Sequence, residues 1–182
     1  MERVRQLVGE MLIYCFVIVL LTGGFLAFFF TPGSQIVYYD GSYTPLQGVP
    51  MSAAYRSALE ISFEVRGGLL MRQLHHTFSI LLVTGTVVWA LLGRFRYAFA
   101  VLGLGLGLLA VLSGYAAVDD LLSGTVLGRL PGIWWYGLHL LTALGLGAVL
   151  VISSRREAAR HPRTLRFVAL SLGLTVMVIF FL

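Results

Sequence analysis

The sequence predicts an all-α membrane protein, a bundle of four transmembrane helices followed by a fifth, and three observations carry that prediction. Of the 182 residues, 58% are hydrophobic and only 12% are charged, about half the charge of a soluble domain. The mean hydropathy is +0.89. Five apolar runs reach or approach the roughly 20 residues that a helix needs to cross a bilayer. The basic residues, 13 arginines and no lysine, gather in alternate connections between those runs. This composition excludes a soluble globular enzyme.

Residues 7–30 form the first run, whose single charge is Glu10. The run is too long for the core of a cleavable signal peptide, and no small-residue cleavage site follows it. It reads as a retained span. Residues 31–68 are the longest polar stretch. Pro32, Gly33, Gly41, Pro45, Gly48 and Pro50 punctuate it, and Asp40-Gly41-Ser42-Tyr43 reads as a turn. Residues 52–63 have the pattern of a short amphipathic helix. The second run, 69–92, is interrupted near its start by Arg72. The third, 97–117, and the fourth, 132–153, carry no charged side chain, and the connection between them is short. The fifth, 165–182, has only Arg166 at its edge. The expected organisation is a four-helix unit over 1–153, an arginine-rich cytoplasmic loop over 154–164 and an additional transmembrane helix over 165–182.

The arginines orient the spans. Arg3 and Arg5 precede the first run, Arg94 and Arg96 separate the second and third, and Arg155, Arg156, Arg160, Arg163 and Arg166 separate the fourth and fifth. That side is expected to be cytoplasmic. Asp40, Glu60, Glu64, Asp119 and Asp120 fall on the other side, with Arg56, Arg66 and Arg129. Five spans then place the N-terminus inside and the C-terminus outside. Because topology accounts for the basic balance, no nucleic-acid partner is expected. Cys15 is the only cysteine, which excludes an internal disulfide, a cysteine-ligated zinc site and an iron–sulfur cluster held by this chain alone.

Of the four histidines, His161 lies in the loop Arg160-His161-Pro162 and reads as a solvated residue. His75, His76 and His139 lie inside apolar runs, where an ionisable side chain is a functional-site hypothesis by default. His75 is six residues past Leu69 and His139 is seven past Gly132, so both sit about 10 Å below the outer boundary at 1.5 Å per residue. Two readings of these residues stay open. They are polar contacts between helices, or two of them hold one metal axially from opposite faces, as in a bis-histidine haem. Neighbouring helix positions point about 100° apart, so His75 and His76 cannot both face one iron. Arg72 lies three residues before His75 on the same helix face. It suits a haem propionate or snorkels to the interface. Gly23 and Gly114 lie at similar depth and permit the close helix approach that a flat macrocycle needs, as small residues at ordinary helix interfaces also do. Tyr115, Trp134, Trp135 and Tyr136 form an interfacial aromatic belt or line a quinone site. Asp119 and Asp120 are solvated loop carboxylates or proton acceptors near a quinol.

Several of these stretches resemble one family. Gly67-Gly68-Leu69-Leu70-Met71-Arg72-Gln73-Leu74-His75-His76 is similar to the start of the second helix of cytochrome b, the haem subunit of quinol–cytochrome c reductases. The stretch from Tyr39 to Ser52 (YDGSYTPLQGVPMS) resembles the actinobacterial branch. Thr22-Gly23, Gly114-Tyr115 and the segment from Asp119 to Thr125 (DDLLSGT) are similar too. The resemblance runs from Leu7 to about Ser153 and leaves out the fifth helix. It implies a four-helix bundle in which each of two haems b is held by one histidine of the second helix and one of the fourth. His75 and His139 match the ligands of the outer haem, Arg72 matches a propionate partner, and Gly23 and Gly114 match glycines lying against that haem.

The departures from the family are as informative. The family's inner-haem ligands lie fourteen residues further along both helices, a rise of about 21 Å that returns within about 40° to the same face. Those positions here are Trp89 and Ser153, neither a usual iron ligand. Gly9, fourteen before Gly23, is kept, whereas Ala100 stands fourteen before Gly114. The inner haem is therefore expected to be absent, with Trp89 filling part of its volume. Val118 replaces a family proline, the connection after it is shorter, and the family's Pro-Glu-Trp-Tyr segment has no counterpart in this chain. Ordinary quinol bifurcation is not expected of this chain alone.

The expected function is that of a non-catalytic electron-transfer subunit in the bacterial inner membrane, with one haem b near the extracytoplasmic face. It would pass electrons between a redox partner, such as an iron–sulfur or cytochrome c protein, and a quinone or neighbouring cofactor within a larger respiratory complex. The alternative is a structural anchor or scaffold whose haem is vestigial or absent.

Overall fold

The computed structural model describes residues 2–118 and 125–181. These form α1 (Glu2–Phe29), β1 (Ile36–Tyr38), β2 (Pro50–Ser52), α2 (Ala53–Phe63), α3 (Gly68–Leu92), α4 (Ala98–Val118), α5 (Gly132–Arg160) and α6 (Leu165–Phe180). The first four predicted runs are α1, α3, α4 and α5, each long and apolar enough to cross a membrane. Even α4, the shortest at 21 residues, rises about 31 Å against a hydrocarbon core of about 30 Å. The chain is an all-α membrane protein, as its composition predicts.

Some boundaries differ from expectation, and α1 already begins at Glu2 rather than at residue 7. α5 continues to Arg160, so the loop expected over 154–164 contracts to 161–164. The polar residues past Ser153 stay helical because they have partners: Glu157 pairs with Arg5 at 2.8 Å. Pro162 follows as a helix breaker. The fifth predicted span forms α6, but at 16 residues it rises only about 24 Å, less than the roughly 30 Å hydrocarbon core, so that a crossing by this helix requires local thinning of the bilayer.

The chain divides into two compact units. Unit 1 takes residues up to Val19, Phe78–Leu108 and the chain from Ala143 onward; unit 2 takes Leu20–Thr77 and Leu109–Thr142. The core of unit 1 is built from Leu12, Cys15, Leu82, Trp89, Ala90, Ala100, Leu146 and Leu150. A carboxylate in an apolar helix is tolerable only when paired, and Glu10 meets that condition. Its Oε1 accepts from Arg163 Nε at 2.8 Å and from Ser154 Oγ at 2.7 Å. Gln6 donates to the carbonyl oxygen of His161 at 3.0 Å. These contacts tie the α5–α6 connection to α1.

Unit 2 opens with a small antiparallel hairpin whose register pairs Ile36 with Ser52, Val37 with Met51 and Tyr38 with Pro50. Tyr39, Met51 and Leu59 are buried together beneath it. Ser52 caps α2 by accepting from the Tyr55 N–H, and the buried face of α2 is mostly small: Ala53, Ala54, Ser57, Ala58 and Ser62. The chain then turns into α3 through Gly67, whose φ is +77°, and Gly68, where a Cβ would run into the Ile61 carbonyl oxygen. This turn fixes where α3 begins, and so the position of Arg72 and His75. Ser52→Ala should remove the α2 cap at a cost of about 1 kcal/mol, read as a lower thermal unfolding midpoint with the content of long helices unchanged by circular dichroism.

Candidate functional site

His75 of α3 and His139 of α5 face each other inside unit 2, with ring centroids 6.2 Å apart and planes crossing at 68°. At Gly23 of α1 and Gly114 of α4 the neighbouring helices present no side chain to the rings. A Cβ at Gly23 of α1 would stand 2.9 Å from His75 Cε1, and one at Gly114 of α4 would stand 2.9 Å from His139 Nδ1. Both distances are well inside the ordinary 3.5–4.0 Å separation of non-bonded atoms, by about half an ångström or more. The two glycines thus bear on the imidazole rings themselves. Each ring is also held at Nδ1. His75 Nδ1 lies 3.2 Å from Thr22 Oγ1, and His139 Nδ1 lies 2.7 Å from the Ala110 carbonyl oxygen. A carbonyl only accepts, so the neutral His139 ring carries its proton on Nδ1 and its lone pair on Nε2.

Arg72 donates to Ser62 Oγ of α2 at 3.0 Å. Among the described residues no carboxylate forms an ion pair with it. His76 points elsewhere: its ring meets Tyr115 edge-on at 5.4 Å, with Nδ1 3.4 Å from the phenol oxygen. The divergence of His75 and His76 is the one that helix geometry requires. The aromatic residues near the start of α5 do not share a face. Trp134 is 68% exposed and Trp135 only 8%, while Tyr136 packs against Phe30 at 5.2 Å. Asp119 and Asp120, with the rest of 119–124, lie outside the described residues.

In unit 1, Trp89 is fully buried. A Cβ at Gly9 would be 3.5 Å from its Nε1, and one at Gly103 would be 3.3 Å from its Cζ3. Its ring meets Tyr97 edge-on at 5.7 Å. Among the described residues its Nε1–H has no hydrogen-bond partner. Ser153, also buried, shares a 2.7 Å hydrogen bond with the Tyr97 hydroxyl. The fourteen-residue offset thus repeats an arrangement: an aromatic ring of α3 against a glycine of α1, once as His75 on Gly23 and once as Trp89 on Gly9.

Sequence reasoning gave no role to Thr22, Ala110, Ser62 or Tyr97. A buried hydroxyl beside Gly23, at the depth of His75, is a signal for Thr22. The Ala110 contribution is a backbone carbonyl and leaves no side-chain signature.

No protein-family model matches the chain. Among curated proteins, the cytochrome bc1 complex cytochrome b subunit of Streptomyces coelicolor is 44% identical over 136 residues, covering 69% of this chain and 25% of that protein. The subunit of the same name from Corynebacterium efficiens is 40% identical over 155 residues, covering 80% of this chain and 27% of the relative. The one from Mycobacterium tuberculosis is 45% identical over 128 residues, covering 65% and 23%. The chain therefore spans about a quarter of the length of the curated relatives it matches. Identity at this level over most of the chain, together with four long apolar helices, makes the chain a multi-pass membrane homologue of the actinobacterial cytochrome b subunits.

Proposed function

We propose that this chain is a membrane electron-transfer subunit that holds one haem b between His75 and His139, as part of a larger redox complex. The observation that carries the reading is the facing pair of rings. An imidazole nitrogen binds a first-row metal ion at about 2 Å, so two rings on opposite sides of one ion stand about 6 Å apart at their centroids. The observed spacing is 6.2 Å. The Nδ1 partners support it, because they orient both rings and leave Nε2 as the ligating nitrogen. Among the described residues no three His, Cys, Asp or Glu side chains gather as a chelating group, and the proposed donor set is this pair.

A haem b, when bound, supplies reversible one-electron transfer. The chain's own residues position it. His75 and His139 would hold its iron. Gly23 and Gly114 admit their rings. Arg72, held by Ser62 and without a carboxylate partner among the described residues, is the cation for a propionate. The residues of unit 1 do not fit a second haem. The Trp89 nitrogen is a donor only, Ser153 is engaged by Tyr97, and both are buried in close packing.

The arginine distribution supports a cytoplasmic N-terminus. His75 and His139 lie near the starts of α3 and α5, which with that orientation supports a haem toward the extracytoplasmic face. If α6 crosses as well, the C-terminus is extracytoplasmic. An iron–sulfur or cytochrome c protein is the class of partner suited to that face, with a quinone or neighbouring cofactor as the second redox contact.

Haem content per polypeptide tests the reading. Purified, haem-replete protein should hold one b-type haem per chain by pyridine haemochrome and by the reduced-minus-oxidised spectrum. Two haems would overturn the reading that unit 1 holds none. None would replace the electron-transfer reading with a scaffold role.

A further inference from the structure

The two histidines are held by chemically unequal partners. The Ala110 oxygen accepts from His139 Nδ1 at 2.7 Å and from Ser113 Oγ at 3.1 Å, and as backbone it is fixed within α4. The Thr22 hydroxyl is a neutral side-chain group, 5% exposed, at 3.2 Å from His75 Nδ1. Beside it, Gly23 offers the ring no side chain to lean on. The hydroxyl of Thr22 is a side-chain contact from α1 at the ring nitrogen of His75, where it bears on the rotation of the ring.

We infer that Thr22 is a positioning residue for His75 that sets the ring's orientation and its strength as an axial ligand, making His75 the tunable one of the pair. The inference rests on the proposed haem site. With Nε2 turned to a metal, the neutral His75 ring keeps its proton on Nδ1, and Thr22 Oγ1 is the acceptor. An acceptor at Nδ1–H pushes electron density toward Nε2 and favours the ferric state of a bound iron. A short bond to a fixed carbonyl does this more strongly than a longer bond to a hydroxyl. A single side-chain substitution removes the hydroxyl at Thr22, whereas no substitution removes the Ala110 carbonyl.

Thr22→Val keeps the shape and deletes the hydroxyl; Thr22→Ala deletes it without the risk of a misplaced methyl; Thr22→Ser retains it. The full-length protein and the three variants are purified in haem-replete form. Haem stoichiometry, the midpoint potential and the low-spin ferric electron paramagnetic resonance spectrum are measured. Valine and alanine should keep one haem per chain but shift the equilibrium toward ferrous iron by up to about tenfold, equivalent to ~59 mV for a one-electron couple. Their g-values should move as the 68° angle between the rings relaxes. Serine should restore both readouts. Haem-loaded valine and alanine variants with wild-type potential and g-values overturn the inference, and so does a serine variant that behaves like valine. Loss of haem from valine and alanine but not serine supports the same role in a stronger form. Absence of haem from the wild-type protein in the same preparations overturns the haem reading itself, which separates the two failures.

Discussion

Replacing either His75 or His139 with alanine should abolish the b-type spectrum, while His76→Ala and His161→Ala should leave it at one haem per chain. The asymmetry follows from where the rings lie. His75 and His139 face one another at 6.2 Å, and each is the sole contribution of its helix to that pair. Alanine at either position would leave the proposed haem one histidine of the pair, with no third His, Cys, Asp or Glu gathered beside it among the described residues. His76 instead meets Tyr115, and His161 lies 3.3 Å from Glu2 in unit 1. Both substitutions therefore remove contacts outside the ligand pair. The measurement is the reduced-minus-oxidised difference spectrum normalised to protein. A silent His75→Ala with haem lost from His76→Ala would reverse the register of α3 and take the proposed site with it. A haem-free but folded His139→Ala, checked by helix content, separates ligand loss from collapse.

The spans were legible because the bilayer imposes a length and a polarity that composition alone reveals. All four long helices begin and end within a few residues of the predicted runs at most boundaries. The exceptions are ends where partners decide. α1 begins at Glu2 and α5 ends at Arg160, since Arg5–Glu157 and Glu10–Arg163–Ser154 hold charged residues on the helices, and pairings between the two ends of the chain do not show in local hydropathy. The pairing of His75 with His139 was legible from matched depth. The seating of both rings on Gly23 and Gly114 was half legible: the glycines stood out, but as neighbours of a macrocycle rather than of the rings. Thr22 and Ala110 were not, because a hydroxyl in an apolar helix ordinarily bonds its own backbone and a carbonyl has no identity in sequence.

Trp89→Ala should destabilise the protein by about 3–5 kcal/mol without changing haem stoichiometry. The indole is fully buried among Leu12, Leu82, Ala100 and Leu150 of the unit 1 core, with Gly9 and Gly103 supplying no side chain on two sides. These neighbours are glycine and alanine as often as leucine, so they cannot reach into the vacated space, and most of the ring volume would remain as a cavity. Both proposed ligands belong to unit 2, so the haem should stay at one per chain in the fraction that folds. Trp89→Phe sharpens the test. It keeps much of the ring and removes an Nε1–H that has no partner, an arrangement that itself costs about 1–3 kcal/mol. Phenylalanine should therefore be far less destabilising than alanine, with a thermal midpoint close to that of the wild-type protein. If alanine were instead tolerated as well as phenylalanine, Trp89 would not be filling the volume that the fourteen-residue offset from His75 assigns to it. If alanine gained a second haem, Ser153 or an unrecognised residue would have to be a ligand, and the indole alone would be what keeps a haem out of unit 1.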